Sequence, residues 1–260
     1  MFKGKSVAIT GASGGIGRGL AEMFIAEGAK VAISDLEVPS EAANAIGAAA
    51  FKCDVSKEQD VIEFIDLAEA VNGPIDIYCS NAGLGFSDNG HAANSDNHAW
   101  ETSWQVNLMG SVYAARALLP GWVERGSGHF AITASAAGLL NQIGSATYSV
   151  TKHAAVGLAE AIGITHYDDG IRAHCICPQF VRSNMTKGMS FAENHKDGLL
   201  EPSDVANALK AAIEKDEFMV LSHPNVADYY RMKANDYNGW ITGMASMRRK
   251  FTSKDTEIGQ

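Results

Sequence analysis

Two hydrophobic rhythms alternate along the chain. Short runs rich in β-branched and other apolar residues predict strands over 6–10, 30–34, 50–53, 75–80, 129–133, 171–177 and 218–222. Between them, apolar positions recur every three or four residues over 16–27, 41–46, 57–71, 99–124, 148–167 and 204–215, which predicts helices. Gly28 and Gly170 stand where helices should stop, and Ser56 with Gln59 reads as a capping box. Repeated strand–helix alternation predicts a parallel sheet covered on both faces, an α/β doubly wound architecture. No repeat, low-complexity tract or linker breaks the pattern, so residues 1–260 read as a single domain. Two segments fall outside the rhythm. Residues 183–200 follow the sixth strand without a clear period and read as a substrate-binding loop. Residues 225–250 form a C-terminal helical extension. In it Val226, Tyr230, Ala234, Tyr237, Ile241 and Met244 make one partly apolar stripe, interrupted at Asn238-Gly239. That stripe is expected either to cover the substrate cleft or another subunit, or to lie on its own subunit's surface.

Composition narrows the classes. Apolar residues make up 46% and charged residues 20% of 260, which excludes disorder as the dominant state. A net charge of −9 argues against nucleic acid or an anionic membrane as partner. The longest stretch without Asp, Glu, Lys or Arg, 126–151, carries His129, Asn141, Gln142 and many small polar residues, so no membrane span is expected. The first residues read as mature protein without a secretory signal. The four cysteines, Cys53, Cys79, Cys175 and Cys177, read as reduced and buried. A cytoplasmic location is therefore expected.

The candidate chemistry begins at the first strand's end, with Thr10-Gly11-Ala12-Ser13-Gly14-Gly15-Ile16-Gly17 and then a helical pattern. Glycines at 11, 15 and 17 let the backbone turn sharply and approach a pyrophosphate, which the free N–H groups and dipole of the next helix favour. Asp35 ends the second strand. A carboxylate there accepts the ribose hydroxyls of an adenosine and repels a 2′-phosphate. Asp54, ending the third strand, is placed to reach the adenine edge or to cap a helix. Tyr148 and Lys152 stand at i and i+4 on one helix face, where a cation favours the phenolate and makes the phenol a usable acid/base. Ser135 ends a strand, with a hydroxyl able to hold the oxygen of a reacting alcohol or carbonyl.

Taken in order and spacing, these motifs resemble the short-chain dehydrogenase/reductase family, in its branch with a TGxxxGxG turn and a YxxxK helix. The resemblance spans nearly all of 2–222 and rests on 10–17, Asp54, Asn81-Ala82-Gly83, Trp100, Asn107 ahead of Leu108-Met109-Gly110, Ser135, Tyr148, Lys152 and Pro178. It implies a Rossmann fold with a seven-stranded parallel sheet in the order 3-2-1-4-5-6-7. It implies that Tyr148 is the general acid/base and that Ser135 positions the substrate oxygen. Lys152 would hold the nicotinamide ribose and lower the Tyr148 pKa, and Asn107 would support a proton-relay water. Cofactor contacts are implied for Gly11, Ser13, Gly14, Gly15, Ile16, Gly17, Asp35, Asp54, Val55, Asn81, Ala82, Gly83, Tyr148, Lys152, Pro178, Val181 and Ser183. Gly14 and Leu36 stand where members using the phosphorylated cofactor usually carry a basic residue, so with Asp35 the cofactor is expected to be NAD. The family pattern is departed from at Ser80, where Asn is usual, and at Gln179, where Gly is usual. A homotetramer or homodimer is expected from family habit.

The loops after the fourth, fifth and sixth strands should line the substrate pocket, through Leu84, Phe86, Leu139, Leu140, Asn141, Gln142, Ile143, Gln179, Phe180, Met185, Met189 and Phe191. Most are apolar, and no convergent pair of cations is evident among them. A neutral, mainly hydrophobic secondary alcohol, or its ketone, is the expected small-molecule substrate. The alternatives are an NADPH-dependent ketone reductase and a non-catalytic, cofactor-sensing family member. His174, Cys175 and Cys177 alternate along a strand and send their side chains to opposite faces, so no metal site is expected. His91 and His98 are expected in a solvated polar loop.

Overall fold

Every residue of β1 (Ser6–Thr10) is buried, as a central strand covered by helices on both faces requires. The computed structural model describes residues 1–88, 90–187 and 198–257, without the side chains beyond 250. The other strands are β2 (Lys30–Asp35), β3 (Ala49–Lys52), β4 (Ile77–Ser80), β5 (Gly128–Thr133), β6 (Ile171–Ile176) and β7 (Met219–Val220). They form one seven-stranded sheet in the order β3-β2-β1-β4-β5-β6-β7, every neighbouring pair parallel. The order reverses between β1 and β4, which opens a crevice at their carboxyl ends.

The helices are α1 (Gly15–Ala26), α2 (Ser40–Ile46), α3 (Glu58–Asn72), α4 (Asn97–Trp104), α5 (Gly110–Arg125), α6 (Ala137–Leu140), α7 (Ala146–Thr165), α8 (Pro202–Glu214), α9 (Asn225–Asn235) and α10 (Tyr237–Glu257). One face of the sheet packs Phe64, Tyr78, Trp122 and Phe130 together; the other packs Phe2, Leu20, Phe24 and Leu209. Each such side chain contributes about 1.5–3 kcal/mol on burial.

Several expectations need correction. The helix expected over 99–124 is two helices joined by a π-helical segment, Gln105–Met109. A π turn re-aims the side chain it carries, here Asn107, and such turns recur at functional sites. His98 belongs to α4 and not to a loop. The capping box at Ser56 does not form, because the Ser56 hydroxyl donates to Asp54 Oδ1 at 2.6 Å and α3 starts after Lys57. A reciprocal box forms instead at α8, between Glu201 and Asp204. β7 keeps only two of the five expected residues.

The tail breaks at Asp236, before Asn238-Gly239. Asp236 Oδ1 accepts the Gly239 amide at 2.8 Å, and a Cβ on Gly239 would stand 2.1 Å from Asp236 Oδ2. This cap starts a new helix and divides the expected stripe. Val226 is buried, but Tyr230, Tyr237 and Ile241 are exposed. The inward face is made instead by Val226, Tyr229, Lys233 and Trp240.

Candidate active site

Glycine geometry shapes the crevice at β1. Gly11 and Gly15 have φ of 65° and 54°, a region that glycine enters without strain. A Cβ on Gly11 would lie 2.7 Å from Ala82 Cα, and one on Gly17 would lie 2.4 Å from Gly11 O. The turn therefore packs against the end of β4 and folds tightly on itself. Gly14, at the N-terminus of α1, supplies no side-chain cap and faces open space, so the first amides of that helix are bare. Asn81 Nδ2 donates to the Thr10 and Gly11 carbonyls, both at 3.0 Å, and ties β4 to this turn. Asp35 accepts the Ser13 and Leu36 amides at 3.0 and 2.9 Å, which holds its carboxylate at the crevice rim. Burial alone would raise the Asp54 pKa, but hydrogen bonds from Ser56 and the nearby Lys57 hold it below the ordinary carboxylate value. Asp54 thus organises the turn into α3 while also lining the crevice.

The second half of the site comes from β5, α7 and the π segment. Ser135 follows β5 and is buried; its Oγ accepts the Ala137 amide at 3.0 Å and donates to Pro178 O at 3.5 Å. On α7, Tyr148 and Lys152 share a face, with Lys152 Nζ 5.6 Å from the phenol ring centroid and donating to Thr133 O at 2.7 Å. Asn107 Nδ2 donates to Leu84 O and Thr151 Oγ1 at 2.9 and 3.0 Å, while its Oδ1 accepts the Leu84 amide at 2.9 Å. Asn107 therefore clamps the loop after β4 onto α7. Gly83 and Gly85 leave room for this arrangement: a Cβ on Gly83 would lie 3.2 Å from Lys152 Nζ, and one on Gly85 3.3 Å from the Tyr148 ring.

Burial dominates the protonation of both groups. It pushes the Tyr148 phenol above its ordinary value, opposed in part by the Ser135 hydrogen bond, and it pushes Lys152 down to about 8. Lys152, whose hydrogen bond goes to Thr133 O, is not among the causes of the Tyr148 shift. The phenol is held as an acid.

Residues 5–194 match the family model of the short chain dehydrogenases. The chain belongs to the short-chain dehydrogenase family. It is 31% identical over 237 residues to the mitochondrial borneol dehydrogenase of Lavandula x intermedia, covering 87% of this chain and 90% of that protein. It is also 31% identical over 239 residues to the meso-2,3-butanediol dehydrogenase of Serratia marcescens, covering 86% and 93%. A short-chain dehydrogenase/reductase of Burkholderia phymatum, solved in complex with NAD, superposes with a TM-score of 0.80 at 26% identity, covering 91% of this chain and 95% of that one. The protein is thus an oxidoreductase of a family that binds a nicotinamide cofactor. The bare helix N-terminus and the glycine cradle, which a Cβ would fill, fit such a group.

This short-chain dehydrogenase brings most of its expected site residues to one cleft of about 360 Å³. Gly11, Ser13, Gly14, Gly15, Ile16, Asp35, Asp54, Val55, Asn81, Ala82, Gly83, Leu84, Tyr148, Lys152, Pro178, Ser183 and Met185 line it. Asn107 and Ser135 are not in its lining; Asn107 is bonded to Leu84, which is. Gly17 packs against Gly11 O instead of facing the cleft, and Val181 is buried beside the bridge to Leu200. Phe86, Gln179 and Phe180 are not among the residues that line the cleft. Leu139 lies in the core. Leu140, Asn141, Gln142 and Ile143 line a separate cavity beneath the C-terminal helices. Met189 and Phe191 lie outside the described residues. Leu36 also lines it, and Cys53, Val106, Thr133, Ala134 and Asn184 complete the cleft unforeseen. The strand ends at Cys53 and Thr133 were the available signal, since a parallel sheet presents its carboxyl ends to ligand. Cys175 and Cys177 stay buried thiols, with Sγ atoms 3.7 Å apart, and no metal-ligating cluster occurs among the described residues. None of the helices searched there is long and apolar enough to cross a membrane.

Proposed function

We propose that the protein is an NAD-dependent dehydrogenase that oxidises a neutral, mainly hydrophobic secondary alcohol, or reduces the matching ketone. The observation that carries this reading is the Ser135–Tyr148–Lys152 group beside a cleft whose described lining has only Asp35, Asp54 and Lys152 as charges. The bound nicotinamide supplies the hydride acceptor or donor. Tyr148 gives its proton to the ketone oxygen in reduction, and as phenolate takes the alcohol proton in oxidation. Ser135 orients the substrate oxygen at the phenol. Lys152, fixed on Thr133 O, keeps further N–H donors for a ribose and steadies the phenolate when it forms. Leu84, Val106, Ala134, Pro178 and Met185 offer apolar surface and no second cation for an anionic substrate. Asp35 at the rim favours the ribose hydroxyls and opposes a 2′-phosphate.

The test follows reduced-cofactor absorbance with matched neutral and anionic secondary alcohols of one size, each with NAD+ and NADP+. The expected kcat/KM is about tenfold or more higher with NAD+, with the neutral alcohol preferred. Equal use of both cofactors removes the cofactor assignment, and preference for the anion removes the substrate assignment.

A further inference from the structure

Pro178 lines the cleft, and the peptide group that joins it to Gln179 is held at both poles. On one side Pro178 O accepts the Ala136 amide at 2.8 Å and the Ser135 hydroxyl at 3.5 Å. On the other side the Gln179 N–H donates to His223 Nδ1 at 3.3 Å. The last amide that pairs with β7 is that of Cys177, which donates to Val220 O at 2.9 Å. Proline brings no N–H to the turn that follows, so the Gln179 amide is the first donor after Cys177. Beyond the sheet, the orientation of this one peptide decides where Pro178 O stands. Ser135 Oγ also accepts the Ala137 amide at 3.0 Å, so that amide and Pro178 O together aim its hydroxyl.

His223 is placed to fix that peptide. It follows β7, is only 2% exposed and is not part of the cleft lining. Its own carbonyl accepts the Val226 amide at 3.1 Å, which ties the residue to the first turn of α9. An amide N–H only donates, so Nδ1 must be bare and the neutral ring carries its proton on Nε2. Ser222 Oγ, 3.3 Å from Nδ1, is a second donor to the same atom. A side chain without an acceptor at this point would leave the Gln179 N–H unpaired, which costs free energy comparable to a lost hydrogen bond.

We infer that His223 is a positioning residue for the reaction: by holding the Gln179 amide, it fixes the peptide whose carbonyl orients the Ser135 hydroxyl. The inference rests on the role given to Ser135 in orienting the substrate oxygen. His223 touches neither substrate nor cofactor in this role. A misplacement of about 1 Å, made away from the reacting atoms, can lower a rate by about a hundredfold.

Asn and Gln separate this role from bulk and polarity. Asn Oδ1 stands as many bonds from Cα as His Nδ1 does, whereas the Gln amide reaches towards the place of Nε2. The readout is kcat with cyclohexanol, or with any faster neutral alcohol of the set above, at saturating alcohol and cofactor. His223→Gln should lower kcat by about tenfold to a hundredfold, and His223→Asn should keep most of it. Ser135→Ala should also lower kcat, and adding His223→Gln to it should cost little more, because both act on one hydroxyl. Equal kcat in the Asn and Gln variants, or losses that multiply in the double variant, would overturn the inference while leaving Ser135 its role. Normal kcat in Ser135→Ala would remove the role of Ser135 and the inference with it.

Discussion

The carboxyl and amino ends of the same sheet use polar residues in opposite ways. At the carboxyl end, the amides at the start of α1 are uncapped, the Tyr148 phenol faces a cleft, and Lys152 has donors beyond its one bond to Thr133 O. At the amino end, polar groups close on each other. Asp76 takes Lys5 Nζ and the Ser6 amide, both at 2.9 Å. Ile75 O takes Trp122 Nε1 at 2.9 Å and also Arg125. His174 Nδ1 lies 2.8 Å from Glu217 O, which only accepts, so that nitrogen carries the proton; Nε2 then accepts from His129 Nδ1 at 3.0 Å. Unused bonding capacity facing a cleft marks the end that meets ligand; at the amino end these closed pairs hold the sheet together, although buried Ser6 Oγ and Asn72 Nδ2 have no partner there.

The comparison is sharpest at Tyr148. Tyr148→Phe keeps the ring and removes the proton, so kcat should fall by about 10²–10⁴, the usual contribution of a placed acid/base. Tm should change little. The wild-type pH profile carries the same assignment. Because burial raises the phenol pKa, oxidation needs a proton lost above neutrality, and its kcat/KM should rise with pH from 7 towards 9, whereas ketone reduction should not. A Phe variant that loses stability but keeps its rate would break the contrast between the two ends.

The histidine pair is the counterpart at the amino end. Burial, then the neighbouring His174, pushes His129 down to about 4 from 6.5, and burial lowers His174 as well. The folded state therefore holds both rings neutral, while the unfolded chain protonates as pH falls below 6.5. Stability is full above that pH and falls through the window down to about 4. For His129 alone the loss at pH 5 is about 2 kcal/mol. Urea unfolding of the wild type at pH 7.5 and 5, beside His129→Gln, measures it. The variant should lose most of this pH dependence and keep its kcat at pH 7.5. An unchanged dependence would show that the pair is not its source.

Asp35 tests the carboxyl end more finely. Asp35→Ser should reduce the preference for NAD+ over NADP+ by about tenfold, or about 1.4 kcal/mol. Steady-state kinetics with both cofactors on one alcohol reads the ratio. An unchanged ratio would leave the rim carboxylate as a brace for Ser13 and Leu36 alone.

The same contrast explains what was legible from the chain. The strands and the glycine turn were readable, because each rests on local rules: apolar runs, helix periodicity, and backbone that only glycine permits at Gly11 and Gly15; the order of the sheet came from the family resemblance. Tyr148 and Lys152 were readable because four residues on a helix is a spatial statement. The cavity under the tail was not. Lys233, Asn141, Asp88 and Trp240 come from four separate segments, and only the break at Asp236 determines which face of α10 turns inward. The His129–His174 pair escaped for the same reason, since its partners lie 45 residues apart and meet only through strand pairing. The burial that dominates the Tyr148 shift is likewise invisible in a sequence, which shows only the neighbouring cation.

The smallest expected effect lies at Lys5. Its ion pair with Asp76 is half exposed on the lysine side, and Asp76 keeps its bond from the Ser6 amide when the lysine is gone. An exposed pair of this kind contributes about 0.2–1 kcal/mol and is screened by salt. Lys5→Met should therefore lower stability by no more than about 0.5 kcal/mol at low ionic strength. The difference should vanish near 1 M salt, where the screening length is about 3 Å. Urea titrations at both salt concentrations measure it. A loss several times larger, or one indifferent to salt, would mean that the amino end is held by charge and not by the closed hydrogen bonds of Asp76, Ile75 and the histidine pair.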